Sequence, residues 1–488
     1  MVAVVFVIIG ASYVISNMDV QESRSNDVTP PMEKYNIYLE SSYGGSTTGA
    51  GVYNKGSNPH ISAVPNEGYK FAGWYQNGKL YSESTRVQVS VNSDMSFKAM
   101  FEIQYYVITI SKNNNFAGTV TNSTTGVYNS MIQLNANANA GYEFNGWYEG
   151  LTKISERSSS IYTVKKDAAI EAKFSIIHDA SFTIFKSSDY APSNITAASK
   201  YNVEIVEREW RMKDVLTGEQ IYWSHSVGVS TYGGGINKGR AVEVSQSVTY
   251  SDGKVAASSQ IVVIDEKVKK SFSWKYHEND WTTMFRDWLG IDHKNNRSAA
   301  FTWDLSFSAY YASISDTTSR YNNVSNISKF ITPNNSYIIS LAKYFGDQTA
   351  GWNDLQRANY VLKFVQSLPY EYDIDFKGVS DYWKFPFETL WDQKGDCEDH
   401  AFLYASIMKA LGYKVAIFDI DCYKGGIITG RHFAPGVVLS NGTGTYYTVD
   451  NEKYYYCEST TLAGLSDKNW ANVGYVPDGY RVTKIYKV

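Results

Sequence analysis

The sequence predicts a multidomain protein that is β-rich along most of its length and α+β at its C-terminus. Two observations favour this fold class before residue 328: an internal repeat and runs of alternating polar and apolar residues typical of short antiparallel strands. A third observation concerns the C-terminus: the pattern changes to helical periodicity after residue 328. We therefore expect two small β-rich modules, a β-rich middle domain and a C-terminal α+β domain.

Composition excludes several classes of protein. The 488 residues correspond to two to four domains at about 150 residues each. A hydrophobic content of 43% excludes a wholly disordered chain. The net charge of −4 provides no basic field, so we expect no nucleic-acid partner. Three cysteines exclude a disulfide scaffold.

Residues 1–16 contain an apolar run that is short for a membrane span but suits a signal-peptide core or a minimal anchor. The polar stretch that follows, residues 17–34, is typical of a linker. We expect export, with the membrane as a partner through this segment. The alternative is a buried first strand.

The internal repeat has an offset of 73 residues: GYKFAGWY at 68–75 matches GYEFNGWY at 141–148. It defines two modules, 35–103 and 104–175. Trp74 and Trp147 are predicted to pack in the two cores, with exposure toward a glycan or a protein partner as the alternative. The glycine before each tryptophan, Gly73 or Gly146, is expected at a tight turn.

The pattern G-Y-x-F-x-G-W-Y, followed by an A-x-F ending, resembles the internalin-type B-repeats of secreted and surface proteins. The resemblance implies small β-grasp-like modules that act outside the cell as spacers or binders of a surface or glycan ligand. The next stretch, 176–327, has strand-like runs and predicts a β-rich domain without catalytic chemistry.

The C-terminal region, 328–488, carries the chemistry. Cys397 lies in the first turn of a predicted helix that ends at Gly412. A helix N-terminus favours the thiolate and offers amide donors to an oxyanion. Asp396, Glu398 and Asp399 oppose ionisation of the thiol, so a nearby imidazolium has to contribute much of the activation.

His432 is the predicted base. It opens a probable strand, and a second strand ends at Asp450 after a hairpin signal at 441–444. Paired antiparallel strands would place Asp450 beside His432, where a carboxylate fixes the imidazole tautomer. His400 is the alternative base, and Glu452 and Glu458 are the alternative carboxylates.

These residues resemble the transglutaminase-like superfamily of microbial exported proteins. The resemblance is carried by 364–366 (FVQ), 385–390 (FPFETL), 395–399 (GDCED), the His432 strand and Asp450. It implies a papain-like fold in which Cys397 is the nucleophile, His432 the general base and acid, and Asp450 the orienting carboxylate.

The resemblance also bears on the reaction. Crosslinking members carry Trp after the cysteine, whereas this chain has Glu398, as peptidase-like members do. We therefore expect a peptidase or amidase acting on a protein or peptide, with a crosslinking acyltransferase or a surface adhesin with a silent domain as alternatives. Some bacterial members bind calcium at acidic residues flanking the cysteine, here Asp396 and Glu398. We nevertheless expect no cofactor.

Two questions stay open in the sequence. Gln393 or Trp391 could donate to the oxyanion. Cys422 and Cys457 could form a disulfide that leaves Cys397 free, or be two separate buried thiols.

Overall fold

The computed structural model describes residues 31–225, 231–277, 296–321, 324–460 and 471–488. The predicted signal or anchor segment, 1–16, and most of the linker lie outside these residues. In the described part of the chain, no helix combines the length and the apolar character needed to cross a bilayer. The chain divides into two compact units, 1–177 and 178–488, and each is described by itself.

The first unit consists of two eight-stranded modules. The strands of the first module are β1 (Lys34–Ser41), β2 (Gly45–Thr48), β3 (Gly51–Asn54), β4 (His60–Pro65), β5 (Tyr69–Gln76), β6 (Lys79–Ser82), β7 (Arg86–Gln88) and β8 (Met95–Ile103). Those of the second are β9 (Tyr105–Lys112), β10 (Gly118–Val120), β11 (Thr124–Val127), β12 (Met131–Ala138), β13 (Tyr142–Glu149), β14 (Thr152–Ser155), β15 (Ser159–Thr163) and β16 (Ala168–Ile176).

Both modules have the same strand order. A five-stranded sheet runs β3-β1-β8-β5-β6 in the first and β11-β9-β16-β13-β14 in the second, and a three-stranded sheet accompanies each. The first and last strands of each module pair in parallel, and the other pairs are antiparallel. The predicted β-rich repeats are therefore confirmed, while their β-grasp-like detail stays a prediction.

The repeated aromatic residues form the two module cores, as predicted. Trp74 and Trp147 are both 0% exposed. Trp74 makes an edge contact with Phe97 at a ring-centroid distance of 6.5 Å. Gly73 was expected at a tight turn. It lies instead inside β5, at a β-bulge with φ +142°. A side chain is disfavoured there, which explains why a glycine precedes the buried tryptophan.

The second unit begins with nine strands: β17 (Phe182–Lys186), β18 (Ser193–Ser199), β19 (Ile205–Asp214), β20 (Gln220–His225), β21 (Thr231–Ile236), β22 (Arg240–Tyr250), β23 (Val255–Ile264), β24 (Lys267–His277) and β25 (Asn296–Ser306). They form two sheets, β17-β18-β21 and β20-β19-β22-β23, and the hairpin β24-β25. Trp210, Val244 and Ile264 belong to the core of the two sheets.

The remaining residues form the predicted α+β region. Its helices are α1 (Phe307–Ile314), α2 (Ile327–Phe330), α3 (Ser336–Gln348), α4 (Asp354–Gln366), α5 (Asp373–Phe376), α6 (Pro386–Asp392) and α7 (Cys397–Ala410). Its strands are β26 (Val415–Lys424), β27 (Ile427–Val438), β28 (Tyr446–Val449), β29 (Glu452–Tyr456) and β30 (Tyr480–Lys487). The strands form one sheet in the order β28-β29-β27-β26-β30.

The core of this region extends N-terminally beyond the boundary expected at residue 328. Phe272 and Trp274 of β24 and Leu305 of β25 belong to the same buried cluster as the α4 and α7 side chains. Trp274 contacts Phe364 of α4 edge-on, with ring centroids 5.3 Å apart. The long β24-β25 hairpin therefore packs as part of the helical region.

Trp74→Ala is expected to lower the free energy of unfolding of the first module by about 3–5 kcal/mol, because it removes a fully buried aromatic side chain. Calorimetry of the full chain checks this. Tyr38→Ala in the same module is the control: that side chain is 55% exposed, so a change within about 0.5 kcal/mol is expected. Equal effects of the two substitutions would contradict the assigned core.

Candidate active site

Cys397 is the first residue of α7, as predicted. Asp396 is the N-cap, and the helix is buried continuously from Glu398 to Met408. A helix that is buried on all sides has to lie inside a core. The α7 helix therefore holds the thiol at a fixed point between the other helices and the sheet.

The surroundings of the sulfur favour its thiol form over the thiolate. Its S–H donates to a carboxylate oxygen of Glu398 at 3.1 Å. Burial, followed by the charges of Glu398 and Asp396, raises the pKa of the thiol. The backbone N–H of Phe433 acts in the opposite direction by donating to the sulfur. Nucleophilic attack from this position needs a base that takes the proton.

His432 lies on β27 and directly precedes Phe433, the residue whose backbone amide faces the sulfur. The imidazole is 7% exposed. Its Nε2 lies 3.1 Å from both carboxylate oxygens of Glu458, and the Tyr480 ring covers it at a centroid distance of 5.2 Å. The Glu458 contact engages Nε2 and leaves Nδ1 for proton exchange.

The structure contradicts the expected position of Asp450. Strand β29 lies between β27 and β28, so the Asp450 strand is not adjacent to the His432 strand. Asp450 and Asn451 have φ values of +48° and +62° and form the two-residue turn from β28 to β29. The Asp450 side chain is 71% exposed and pairs with Lys487.

Glu458 takes the place expected for Asp450. It follows β29, which pairs directly with β27, and Cys457 N–H donates to Pro435 O at 3.0 Å to continue this pairing. Glu458 was one of the two alternative carboxylates; Glu452, the other, pairs with Lys414. The sequence feature that argues against Asp450 is the Asp450-Asn451 dipeptide. Two-residue hairpin turns favour residues that tolerate positive φ, so this dipeptide indicates a turn at Asp450.

Four hydrogen bonds besides the His432 contact fix Glu458. Its carboxylate accepts from Tyr456 Oη at 3.0 Å, Thr460 N at 3.1 Å and Thr460 Oγ1 at 2.6 Å. Its backbone carbonyl accepts from Gln366 Nε2 at 2.6 Å. Burial alone would raise the pKa of Glu458, but His432 and Thr460 outweigh it and hold the pKa below the usual value. The side chain is therefore a charged acceptor for the imidazole N–H.

His400, the alternative base, lies one turn after Cys397 and is fully buried. Burial and the Lys384 charge lower its pKa to about 3. A group this weakly basic is a poor proton acceptor at neutral pH. Of the two histidines, the structure therefore favours His432.

Of the two side chains considered as oxyanion donors, Gln393 is engaged by a hydrogen bond, and Trp391 makes a ring contact. The Gln393 amide donates to Ser271 O at 2.7 Å. The Trp391 ring stacks on Tyr310 with centroids 4.8 Å apart. The backbone N–H of Cys397 lies in the first turn of α7, where amides have no partner within the helix. We expect this amide to be an oxyanion donor.

Buried carboxylates lie beside the nucleophile. Oxygen atoms of Asp373, Asp396 and Asp399 lie within 4.8 Å of one another, and so do those of Asp373, Asp381 and Glu398. Lys384 Nζ lies 3.1 Å from a carboxylate oxygen of Asp399 and neutralises part of this charge. Burial and the Asp399 charge raise the pKa of Asp373 to about 6. The donor set is of the type that a hard cation prefers, and it includes Asp396 and Glu398, the two residues that correspond by resemblance to the calcium-binding positions of some relatives.

Cys422 and Cys457 are free thiols in the structure rather than a disulfide pair. Cys457 is buried, with Sγ 3.6 Å from the Tyr404 hydroxyl. This answers the question left open by the sequence in favour of separate thiols.

Lys363 on α4 is a buried cation behind the site. It is 4% exposed and donates to Ala471 O at 2.9 Å, which also accepts from Gln366 at 2.9 Å. Burial lowers the pKa of Lys363 to about 7. The ammonium therefore titrates near neutral pH in the folded protein.

Comparison with known proteins identifies the repeats. Residues 35–104 and 108–178 match the divergent InlB B-repeat domain, a module typical of bacterial surface proteins. A search of curated proteins finds no match.

Three solved structures show distant similarity to this chain. One is a candidate cysteine protease from Cytophaga hutchinsonii, at 9% identity and a TM-score of 0.20, covering 52% of this chain and 72% of that one. A candidate protease from Parabacteroides distasonis has 8% identity and a TM-score of 0.20, covering 87% and 66%. The Bacillus anthracis TIE protein has 10% identity and a TM-score of 0.17, covering 58% and 68%. The assignment of the site therefore depends on its own geometry.

Glu458→Gln is expected to slow alkylation of Cys397 by iodoacetamide at least about tenfold, because an amide does not hold the imidazole in the required tautomer and charge state. Asp450→Asn, the matched control, is expected to leave the rate unchanged, since Asp450 is exposed and paired with Lys487. Mass spectrometry of the labelled cysteine gives both rates. Slowing by the Asp450 substitution instead would restore the original assignment.

Lys363→Met is expected to raise the free energy of unfolding at neutral pH by about 1–3 kcal/mol, because it removes a buried charge while Gln366 still donates to Ala471 O. An unfolded lysine titrates near about 10.4, so between about pH 7 and that value the unfolded chain binds more protons. The wild-type protein therefore gains stability as pH rises, and the advantage of the Met variant shrinks.

Urea titrations at several pH values, followed by alkylation of the buried Cys457 thiol, measure this difference. A stability difference independent of pH between 7 and 10 would contradict the depressed pKa.

Proposed function

We propose that this chain is a surface-exposed, transglutaminase-like cysteine peptidase or amidase that cleaves peptide or isopeptide bonds. The observation that carries the proposal is the His432–Glu458 pair on the strand whose next residue, Phe433, directs its amide at the Cys397 sulfur. In this proposal Cys397, His432 and Glu458 are the nucleophile, the base and the orienting carboxylate of a thiol acyl-transfer enzyme.

The first half-reaction forms a thioester. His432 Nδ1 takes the thiol proton, and the sulfur attacks the carbonyl carbon of the substrate amide. The oxyanion that forms is stabilised by the Cys397 backbone N–H at the positive end of α7. The imidazolium, stabilised by Glu458, then protonates the departing amine as the C–N bond breaks.

The second half-reaction transfers the acyl group to water. His432, neutral again, takes a proton from the water as its oxygen attacks the thioester carbonyl. The carboxylic acid leaves, and the proton returns to the sulfur. Hydrolysis is preferred to crosslinking because Glu398 follows the nucleophile and bonds to it, where crosslinking members of the superfamily carry Trp.

The proposed location is the cell surface. Two considerations support it: the B-repeat modules are of a type found on bacterial surface proteins, and an apolar segment precedes them in the sequence. In this arrangement the repeats and the middle domain are the spacer between the membrane and the enzyme, and they are also the parts available to a surface or glycan ligand.

One observation favours a second function, a surface adhesin with a silent catalytic domain. The Cys397 thiol is hydrogen-bonded to a carboxylate and its pKa is raised by burial, so it is not a resting thiolate. An enzyme with this geometry needs His432 to remove the thiol proton each time the sulfur attacks, whereas an adhesin has no such requirement.

Incubation of the protein with unfolded β-casein tests the proposal. The wild-type protein is expected to generate new amino termini, and Cys397→Ala and His432→Ala are expected to lose this activity by at least about a thousandfold. The Cys422→Ala variant, which removes another partly exposed thiol, is the control and should retain activity.

Dansylcadaverine in the same reaction separates hydrolysis from crosslinking. Incorporation of the amine without new amino termini would identify a crosslinking enzyme. Wild-type and Cys397→Ala proteins that are equally inactive would favour the adhesin.

A further inference from the structure

The middle domain has a polar face on its sheet β20-β19-β22-β23, on the side opposite the core. Directly opposite residues on paired strands point to the same face, so the strand register shows which side chains lie together. Two neighbouring rows cross the sheet from β20 to β23: one consists of Trp223, Arg211, Ser245 and Ser259, and the other of His225, Glu209, Ser247 and Ala257. We call the surface formed by these residues the polar sheet face.

The centre of the polar sheet face is an open depression of about 420 Å³. It forms because Ser245, Ser247 and Ala257 are small, whereas the neighbouring strand β19 contributes the longer Glu209 and Arg211 side chains. A volume of this size lies within the range of about 300–1,000 Å³ that is typical of ligand sites.

Trp223 stands beside this depression as an exposed but fixed aromatic ring. It is 54% exposed. Its Nε1–H donates to Glu209 Oε1 at 2.6 Å, and Arg211 Nη2 donates to the same oxygen at 2.7 Å. The His225 ring lies nearly parallel to the indole, at 16° and a centroid distance of 6.2 Å. The indole is therefore held in place before any ligand arrives, which lowers the entropic cost of binding.

The depression also offers hydroxyl groups to a ligand. Among the residues that the structure describes, the hydroxyls of Ser245, Ser247 and Ser259 have no hydrogen-bond partner in the protein. Each hydroxyl donates one hydrogen bond and accepts up to two. This favours a ligand that itself carries many hydroxyls.

The charges that line the depression balance each other. Glu209 and Arg211 form an ion pair at 2.7 Å, and the other lining residues are serine, alanine and glutamine. Hydrogen bonds from Trp223 and Arg211 hold the pKa of Glu209 below its usual value, so both members of the pair stay charged at neutral pH. A site without excess charge does not attract phosphate or carboxylate groups, which favours a neutral ligand.

We propose that the polar sheet face binds a neutral polysaccharide. Trp223 stacks on one pyranose ring, and the serine hydroxyls, Glu209 and Arg211 bond to sugar hydroxyls. A pyranose ring fits this set of groups, because its C–H face is attracted to the negative face of an aromatic ring and its rim carries hydrogen-bond donors and acceptors.

The dimensions of the polar sheet face favour a chain over a single sugar. Its two rows span three strand spacings, a distance of about 14 Å at the usual separation of neighbouring strands. This inference goes beyond the proposed reaction and does not depend on it, since it concerns attachment of the protein to a polysaccharide.

Native electrophoresis of the full chain in gels that contain a polysaccharide tests the proposal. Four gels contain a neutral polymer (mixed-linkage β-glucan, arabinoxylan, galactomannan or starch), and a fifth contains anionic carboxymethylcellulose. At least one neutral polymer is expected to retard the wild-type protein, equally at low and high salt, because no excess charge contributes to binding.

Trp223→Ala is expected to raise the dissociation constant at least about tenfold, because it removes the ring that stacks on the sugar. Tyr43→Ala is the matched control: Tyr43 is an aromatic residue of the first repeat that is 86% exposed, and its loss is expected to leave the affinity unchanged.

Three results would overturn the proposal. The first is equal retardation of the wild-type protein and Trp223→Ala, and the second is no retardation in any of the neutral gels. The third is retardation by carboxymethylcellulose alone that disappears at high salt, since it would identify a charged ligand.

Ser247→Ile tests the depression separately from the aromatic ring. It fills the depression with apolar atoms and leaves the bond between Trp223 and Glu209 in place. Isoleucine suits a strand, so the sheet is expected to keep its fold. The dissociation constant is expected to rise at least about fivefold, because the polysaccharide loses a hydrogen-bond partner and the space that it occupies. An unchanged affinity would contradict the assigned site.

Cys397→Ala separates this proposal from the proposed reaction. The variant is expected to bind the polysaccharide like the wild-type protein, because the polar sheet face belongs to the middle domain. Loss of binding would indicate that the polymer occupies the candidate active site and would overturn the proposal. A wild-type protein that binds the polymer but does not cleave β-casein would contradict the proposed peptidase alone.

Discussion

The structure of the site depends on keeping one buried carboxylate charged. Glu458 is 0% exposed, and an unpaired charge at that depth would be prohibitively costly. Hydrogen bonds from Tyr456, Thr460 and His432 compensate for the lost hydration. Since these partners come from β27, from the end of β29 and from the segment after it, satisfying the carboxylate fixes the position of the histidine strand relative to the rest of the sheet.

The nucleophile is fixed by a different means, the packing of α7. A helix buried on every side needs a complete cover, which here comes from α3, α4, α6 and the sheet, while the β24-β25 hairpin packs against α4. Because the side chains of β24 and β25 pack on a helix, these two strands belong to the same core as the helices that follow them. Packing fixes the position of Cys397, and hydrogen bonding fixes the position of His432. The amide of Phe433, the residue after His432, contacts the Cys397 sulfur. A change to either system would separate the nucleophile from its base.

The features predicted correctly from the sequence are those with local signals. The repeats have a recurring tryptophan pattern, and the catalytic helix has a periodic apolar face and a glycine at its end. The carboxylate was predicted wrongly because strand order is not local: the hairpin at 441–444 was expected to pair β27 with β28, but β29 pairs with both. The Asp450-Asn451 turn was the available signal.

A double-mutant cycle on the rate of Cys397 alkylation measures the coupling between His432 and Glu458. Glu458→Gln is expected to slow alkylation in the wild-type background and to have no further effect once His432 is alanine, because the carboxylate acts only through the imidazole. The same slowing in both backgrounds would show that Glu458 acts independently of His432 and would contradict the proposed pair.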